Sequence, residues 1–102
     1  MARYTLELVT GSGDSARRGT DVIPPPVVQV LDDSRRAVPG VPVTFTVVSG
    51  GGKVDPQFVR TDAQGIATTS WTLGTNPGHN DLKAALPAGY QAQALMFTGT
   101  AT

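Results

Sequence analysis

Residues 41–54 read VPVTFTVVSGGGKV, an alternating apolar run that closes on three glycines and a lysine. Two readings compete for it. A strand, a glycine-rich loop and a lysine open a phosphate-binding loop, and the same letters suit a core strand turning a corner in an all-β domain. The phosphate loop needs GxxxxGK[ST] running into a helix whose first amides face the anion. Here the single Gly52-Lys53 step leads into Val54-Asp55-Pro56, with no Ser or Thr after the lysine. Pro56 lacks the N–H a helix would need and ends it. The run is therefore a strand with Val41, Val43, Phe45 and Val47 inward and Pro42, Thr44 and Thr46 outward. Its glycines form a corner between sheets, with at least one of Gly50, Gly51 and Gly52 expected at positive φ and no anion bound.

The same period of two recurs on both sides, and no segment holds a helical period. RYTLELV (3–9) sets Tyr4, Leu6 and Leu8 on one face, and VVQVLDD (27–33) sets Val28 and Val30 opposite Gln29. IATTSWTL (66–73) aligns Ala67, Thr69, Trp71 and Leu73, which makes Trp71 a core anchor. DLKAALP (81–87) aligns Leu82, Ala84 and Leu86, and AQALMFTGTA (92–101) sets Leu95 and Phe97 opposite Met96 and Thr98. A short strand is expected over QFVRT (57–61). The punctuation agrees. Asp62-Ala-Gln-Gly65 has Asp first and Gly fourth, as a type I turn prefers, and Asp32-Asp33-Ser34 starts another turn. IPPP (23–26) lacks three successive donors and is expected as an extended crossover at a sheet edge. About seven antiparallel strands at this spacing make a β-sandwich.

Bulk properties bound the function. The 102 residues form a single domain over 1–102, with 39% hydrophobic and 16% charged content. Eight basic and eight acidic side chains cancel, so nothing draws the chain broadly to nucleic acid or an anionic membrane. The Arg17-Arg18 and Arg35-Arg36 pairs lie in polar, turn-like segments. No apolar run nears the roughly 18 residues of a membrane span, so direct membrane insertion is not expected. The first ten residues already alternate like a strand and carry no signal-peptide core; Met1 reads as an initiator set before an excised domain. With no cysteine, there is no disulfide, thiol nucleophile or cysteine-bound zinc.

Chemistry is sparse. His79, the single histidine, falls in NPGHND and reads as an exposed loop residue. Asp81, two positions on, would share its face on a strand, but no strained elbow activates a serine. The aspartates at 14, 21, 32, 33, 55, 62 and 81 follow no calcium-loop spacing, and turn formation explains them. No catalytic residue, metal ligand or cofactor site is assigned. Tyr4 and Tyr90 are expected as exposed aromatics, and Met96 sits on a nominal outer face.

Three stretches together resemble the group 1 bacterial immunoglobulin-like domain, the repeat of invasin- and intimin-type adhesins. They are VVQVLDDSRRAVPGVPVTFTVVSGGGKV (27–54), TDAQGIATTSWTLGTNPGHNDLKA (61–84) and MFTGTAT (96–102). The family pattern departs at Ser34-Arg35-Arg36, where it usually places a glycine, and at PAGYQAQA (87–94). The resemblance implies an immunoglobulin-like Greek-key sandwich with no catalytic residues. It also implies a stalk module of a surface, secreted or periplasmic parent, with neighbouring domains or a protein as partner. The competing reading is a stand-alone recognition or accessory subunit that docks on a larger assembly, a receptor or a glycan, with Arg35, Arg36, Tyr90 and Met96 as its contacts.

Overall fold

The computed structural model describes residues 3–87, 89, 90 and 92–102, so Met1 lies outside the described residues. These residues are all-β and form ten strands. In chain order they are β1 (Thr5–Thr10), β2 (Asp14–Ala16), β3 (Val27–Leu31), β4 (Pro42–Ser49) and β5 (Lys53–Asp55). The rest are β6 (Phe58–Arg60), β7 (Ile66–Thr68), β8 (Ser70–Thr72), β9 (Gly78–Ala85) and β10 (Leu95–Ala101). Five strands in the order β2-β10-β9-β4-β6 pack across three in the order β1-β3-β7, and β5 pairs with β8.

The decisive run became β4, inside the larger sheet between β9 and the edge strand β6. Val41, Val43 and Phe45 are buried, Val47 packs half-buried against them, and Thr46 faces solvent. Opposite them lie Val28, Val30, Ala67, Trp71 and Leu73 from the other layer, with Leu82, Ala84 and Phe97 beside β4. Burying one such side chain contributes on the order of 1.5–3 kcal/mol, which is why alternation decides the fold.

The expected strand over 66–73 is one extended segment that changes partners at Thr69. Its first half pairs with β3 and its second half with β5. Thr69 is buried at the break, where its hydroxyl donates to the Pro56 carbonyl at 2.6 Å and its N–H to that of Pro26 at 3.2 Å. This bond also corrects the expectation for IPPP. Pro24 and Pro25 are exposed, as an edge crossover would be, but Pro26 is fully buried, and Thr10 Oγ1 donates to the Pro25 carbonyl at 2.9 Å. Proline cannot donate, but its carbonyl accepts, so a run without donors still joins the interior on its acceptor side.

Three further expectations change. β2 pairs parallel to β10, so the sandwich is not wholly antiparallel. Leu8 shares the face of Val28 yet is exposed, because β1 is an edge strand and its register slips between Leu8 and Thr10. Tyr4 and Tyr90 are half-buried rather than exposed, with ring centroids 5.1 Å apart and planes tilted by 55°.

The two aspartate turns are built alike. Asp62 Oδ1 accepts from Gln64 N and Ile66 N, while Gly65 N donates to the Asp62 carbonyl. Asp32 Oδ1 accepts from Ser34 N and Arg36 N, while Arg35 N donates to the Asp32 carbonyl. Arg35 thus stands in the slot of Gly65, at φ 63° against 73°. That region costs a residue with a side chain about 1–2 kcal/mol. Arg35→Gly is therefore expected to raise stability by up to about 1 kcal/mol, after loss of the exposed ion pair described below. Arg35→Ala keeps the strain, loses the pair and should lower stability slightly. Urea denaturation of both variants checks the order.

Candidate functional site

Four places carry side chains of interest. The first is the glycine corner that ends β4. Gly50 and Gly51 take φ of 94° and 76°, as the corner reading requires. The segment then enters β5, not a helix, so no row of N-terminal amides faces the groove of about 290 Å³ that Gly51, Gly52, Lys53 and Gly74 help to line. A Cβ on Gly50 would lie 2.0 Å from Asn80 Oδ1, and one on Gly74 would lie 1.8 Å from the Gly50 carbonyl oxygen. Asn80 is buried here, accepting from Gly74 N and donating to the Gly78 carbonyl, both at 3.1 Å. Between Gly50, Gly74 and Asn80 the corner is filled by protein.

The second is the lone histidine. His79 lies on β9 rather than in a loop, and it remains exposed as expected. Its Nε2 is 2.7 Å from Asp81 Oδ1, and Ser49 Oγ donates to Asp81 Oδ2 at 2.9 Å. The carboxylate therefore sits between serine and histidine. In a nucleophilic triad the imidazole occupies the middle and takes the serine proton. Here Asp81 ties β4 to β9 at the register slip between Val47 and Ser49. The alternation had placed Asp81 beside His79; Ser49 was not visible, because it comes from another strand.

The third is the pole where β1 begins. An open cleft of about 560 Å³ is lined there by Arg3, Tyr4, Asp32, Asp33, Arg35 and Gln93, among others. Arg35 Nη2 lies 2.7 Å from Glu7 Oε2, with side chains 67% and 39% exposed. At such exposure the pair contributes at most about 1 kcal/mol. Arg36 is exposed in the same turn. Tyr90 reaches this pole through Tyr4. Arg35, Arg36 and Tyr90 are thus brought to one end of the molecule, while Met96 lies apart on the outer face of the larger sheet.

That face is the fourth place. Thr46, Lys83 and Met96 form one cross-strand row, and Phe58 stands outward beside Thr44 on β6. Phe58 is 68% exposed and Met96 46%. The sequence reading missed Phe58. Register places it, since Val59 opposite Val43 fixes Phe58 and Arg60 to the outer side. Among the described residues no group of three or more His, Asp or Glu side chains is arranged to hold a metal ion. Among the described residues no helix is long and apolar enough to cross a membrane.

No protein-family model and no curated protein sequence matches the chain. Solved structures do. The Yersinia pseudotuberculosis adhesin InvE matches with a TM-score of 0.76 and 23% identity over 99% of this chain and 32% of that one. Invasin, a bacterial integrin-binding protein, matches with a TM-score of 0.69 and 21% identity over 97% of this chain and 19% of its own. A C-terminal intimin fragment in complex with the intimin-binding domain of the translocated intimin receptor matches with a TM-score of 0.59 and 25% identity over 76% and 26%. The chain therefore spans a third or less of each of these structures. The likeness shows the fold: an immunoglobulin-like sandwich of the kind found in intimin and invasin.

Proposed function

From the immunoglobulin-like fold of adhesin domains, we propose that the chain is a non-catalytic structural module, one stalk unit of a bacterial cell-surface, secreted or periplasmic protein that serves adhesion. The observation that carries this reading is the placement of the two ends of the sandwich. Arg3 lies at the pole with Asp32, Arg35 and Gln93, whereas Thr102 lies beside Arg17 and Arg18, at the far end of β10. The body between them is elongated, 42 × 22 × 19 Å. A unit entered at one pole and left at the other adds its long dimension to a chain of similar units, so reach grows with repeat number. The order Ser49–Asp81–His79 fits a non-catalytic module, since among the described residues the serine hydroxyl meets the carboxylate and not the imidazole. Small-angle scattering from the parent polypeptide should give an extended rod whose length follows the number of such units. A compact parent would overturn the stalk reading.

One observation favours a second role, in recognition. Arg35, Arg36 and Tyr90 gather at one pole, and a related fold in intimin is seen bound to a protein receptor domain. In this reading the pole contacts a neighbouring domain or a protein partner, with Met96 contributing from the sheet face. Alanine at each of the four residues should weaken capture of that partner; unchanged affinity in all four would remove the idea.

A further inference from the structure

The larger sheet ends on β6, and this edge is uncovered. Phe45 N donates to the Gln57 carbonyl and Thr61 N to that of Val41, so the odd-numbered residues of this segment point their backbone groups toward β4. Phe58 and Arg60 consequently point theirs outward, and among the described residues neither has a main-chain partner. Unpaired edges of this kind are templates for another strand. On the same edge Phe58 is 68% exposed, and Arg60 is exposed with one long bond of 3.3 Å from Nη1 to the Gly40 carbonyl.

We propose that β6 pairs antiparallel with β6 of a second copy, joining two five-stranded sheets across a two-fold axis at Val59. Register decides the occupant. Centred on Val59, Phe58 of each copy lies opposite Arg60 of the other, and the outward N–H and C=O groups make four main-chain hydrogen bonds. Phe58 then offers its ring to a guanidinium, a favourable aromatic–cation pair, twice over. Centring on Phe58 instead would set Arg60 against Pro56, which has no N–H, and centring on Arg60 would oppose two like charges. The segment Phe58-Val59-Arg60 is thus complementary to itself in one register only. Three residues make a short edge, so the contact belongs with weak, reversible interfaces below about 1,200 Å².

The test is sedimentation equilibrium of this chain, carried into the millimolar range, with substitutions that separate strand pairing from simple stickiness. The wild type should approach a monomer–dimer equilibrium. Phe58→Lys places a cation opposite Arg60 and should weaken dimerisation about tenfold or more. Phe58→Glu removes the same apolar surface but restores an attractive pair, and should dimerise about as well as wild type. The double variant Phe58→Lys with Arg60→Glu should recover it, which also shows that position 58 tolerates lysine in the fold. A monomer at all concentrations would overturn the proposal and leave the edge to a strand of another protein. Equal loss in Phe58→Lys and Phe58→Glu, or no loss in either, would overturn it too.

Discussion

Trp71→Ala is expected to lower unfolding free energy by about 3–5 kcal/mol, the range for truncating a fully buried aromatic side chain. Trp71 is the largest wholly buried residue, and it stands where β8 leaves the ladder of β7 and joins β5. Its ring lies against Gly99 of β10, where an added Cβ would be 3.3 Å from the ring, so backbone fills the space on that side. Backbone collapses poorly into a void, which puts the loss toward the upper part of the range. A domain of this size has about 5–15 kcal/mol in all, so the variant should unfold at a much lower urea concentration. Trp71→Phe supplies the contrast. Trp71 Nε1 is buried with no hydrogen-bond partner among the described residues. An orphaned donor costs about 1–3 kcal/mol, and phenylalanine removes it along with part of the ring. That variant should stay within about 1.5 kcal/mol of wild type. Trp71 is the sole tryptophan, so circular dichroism must follow the unfolding of both. An alanine variant as stable as the phenylalanine variant would mean that Trp71 is not the anchor of this core.

How far the sequence carried the fold is clearest along residues 66–73. Alternation named Ala67, Thr69, Trp71 and Leu73 as one face, and all four are buried. It could not show that the ladder partner changes at Thr69, because periodicity records which way side chains point and not which strand receives the backbone. Pro26 departed from its expected place for a related reason. Composition reports a missing donor, whereas the interior position of Pro26 depends on acceptors used by Thr10 and Thr69, one of them 43 positions later. Strand β2 is only three residues long and carries no period to read.

The candidate site follows the same division. Arg35 stood out because a glycine was expected nearby, and the structure finds it in a glycine conformation. Tyr90 was legible as an aromatic in a loop, but its pairing with Tyr4 is a contact between distant segments. Phe58 is the instructive omission. Whether β6 is central or at an edge depends on the order of strands in the sheet, and no local pattern in QFVR encodes that order.

Gly50→Ala is the second large effect, expected at about 2–5 kcal/mol, and Gly51→Ala is its built-in control. Both residues have positive φ, so alanine at either accepts a backbone penalty of about 1–2 kcal/mol. Only one of them also lacks space. A Cβ on Gly51 meets nothing within 4 Å, while one on Gly50 meets Asn80 Oδ1, Cγ and Cα at 2.0, 2.3 and 2.9 Å. Asn80 cannot swing aside without abandoning Gly74 N and the Gly78 carbonyl in a buried setting. Overpacking against such fixed atoms adds about 1–3 kcal/mol, so Gly50→Ala should lose about that much more stability than Gly51→Ala. Thermal and urea unfolding of the two variants measure the difference directly. Equal losses would mean that conformation alone selects these glycines. A larger loss at Gly50 assigns the run at 50–52 its physical role: close passage of one backbone past a buried asparagine, at the place where the chain leaves β4 for the other layer.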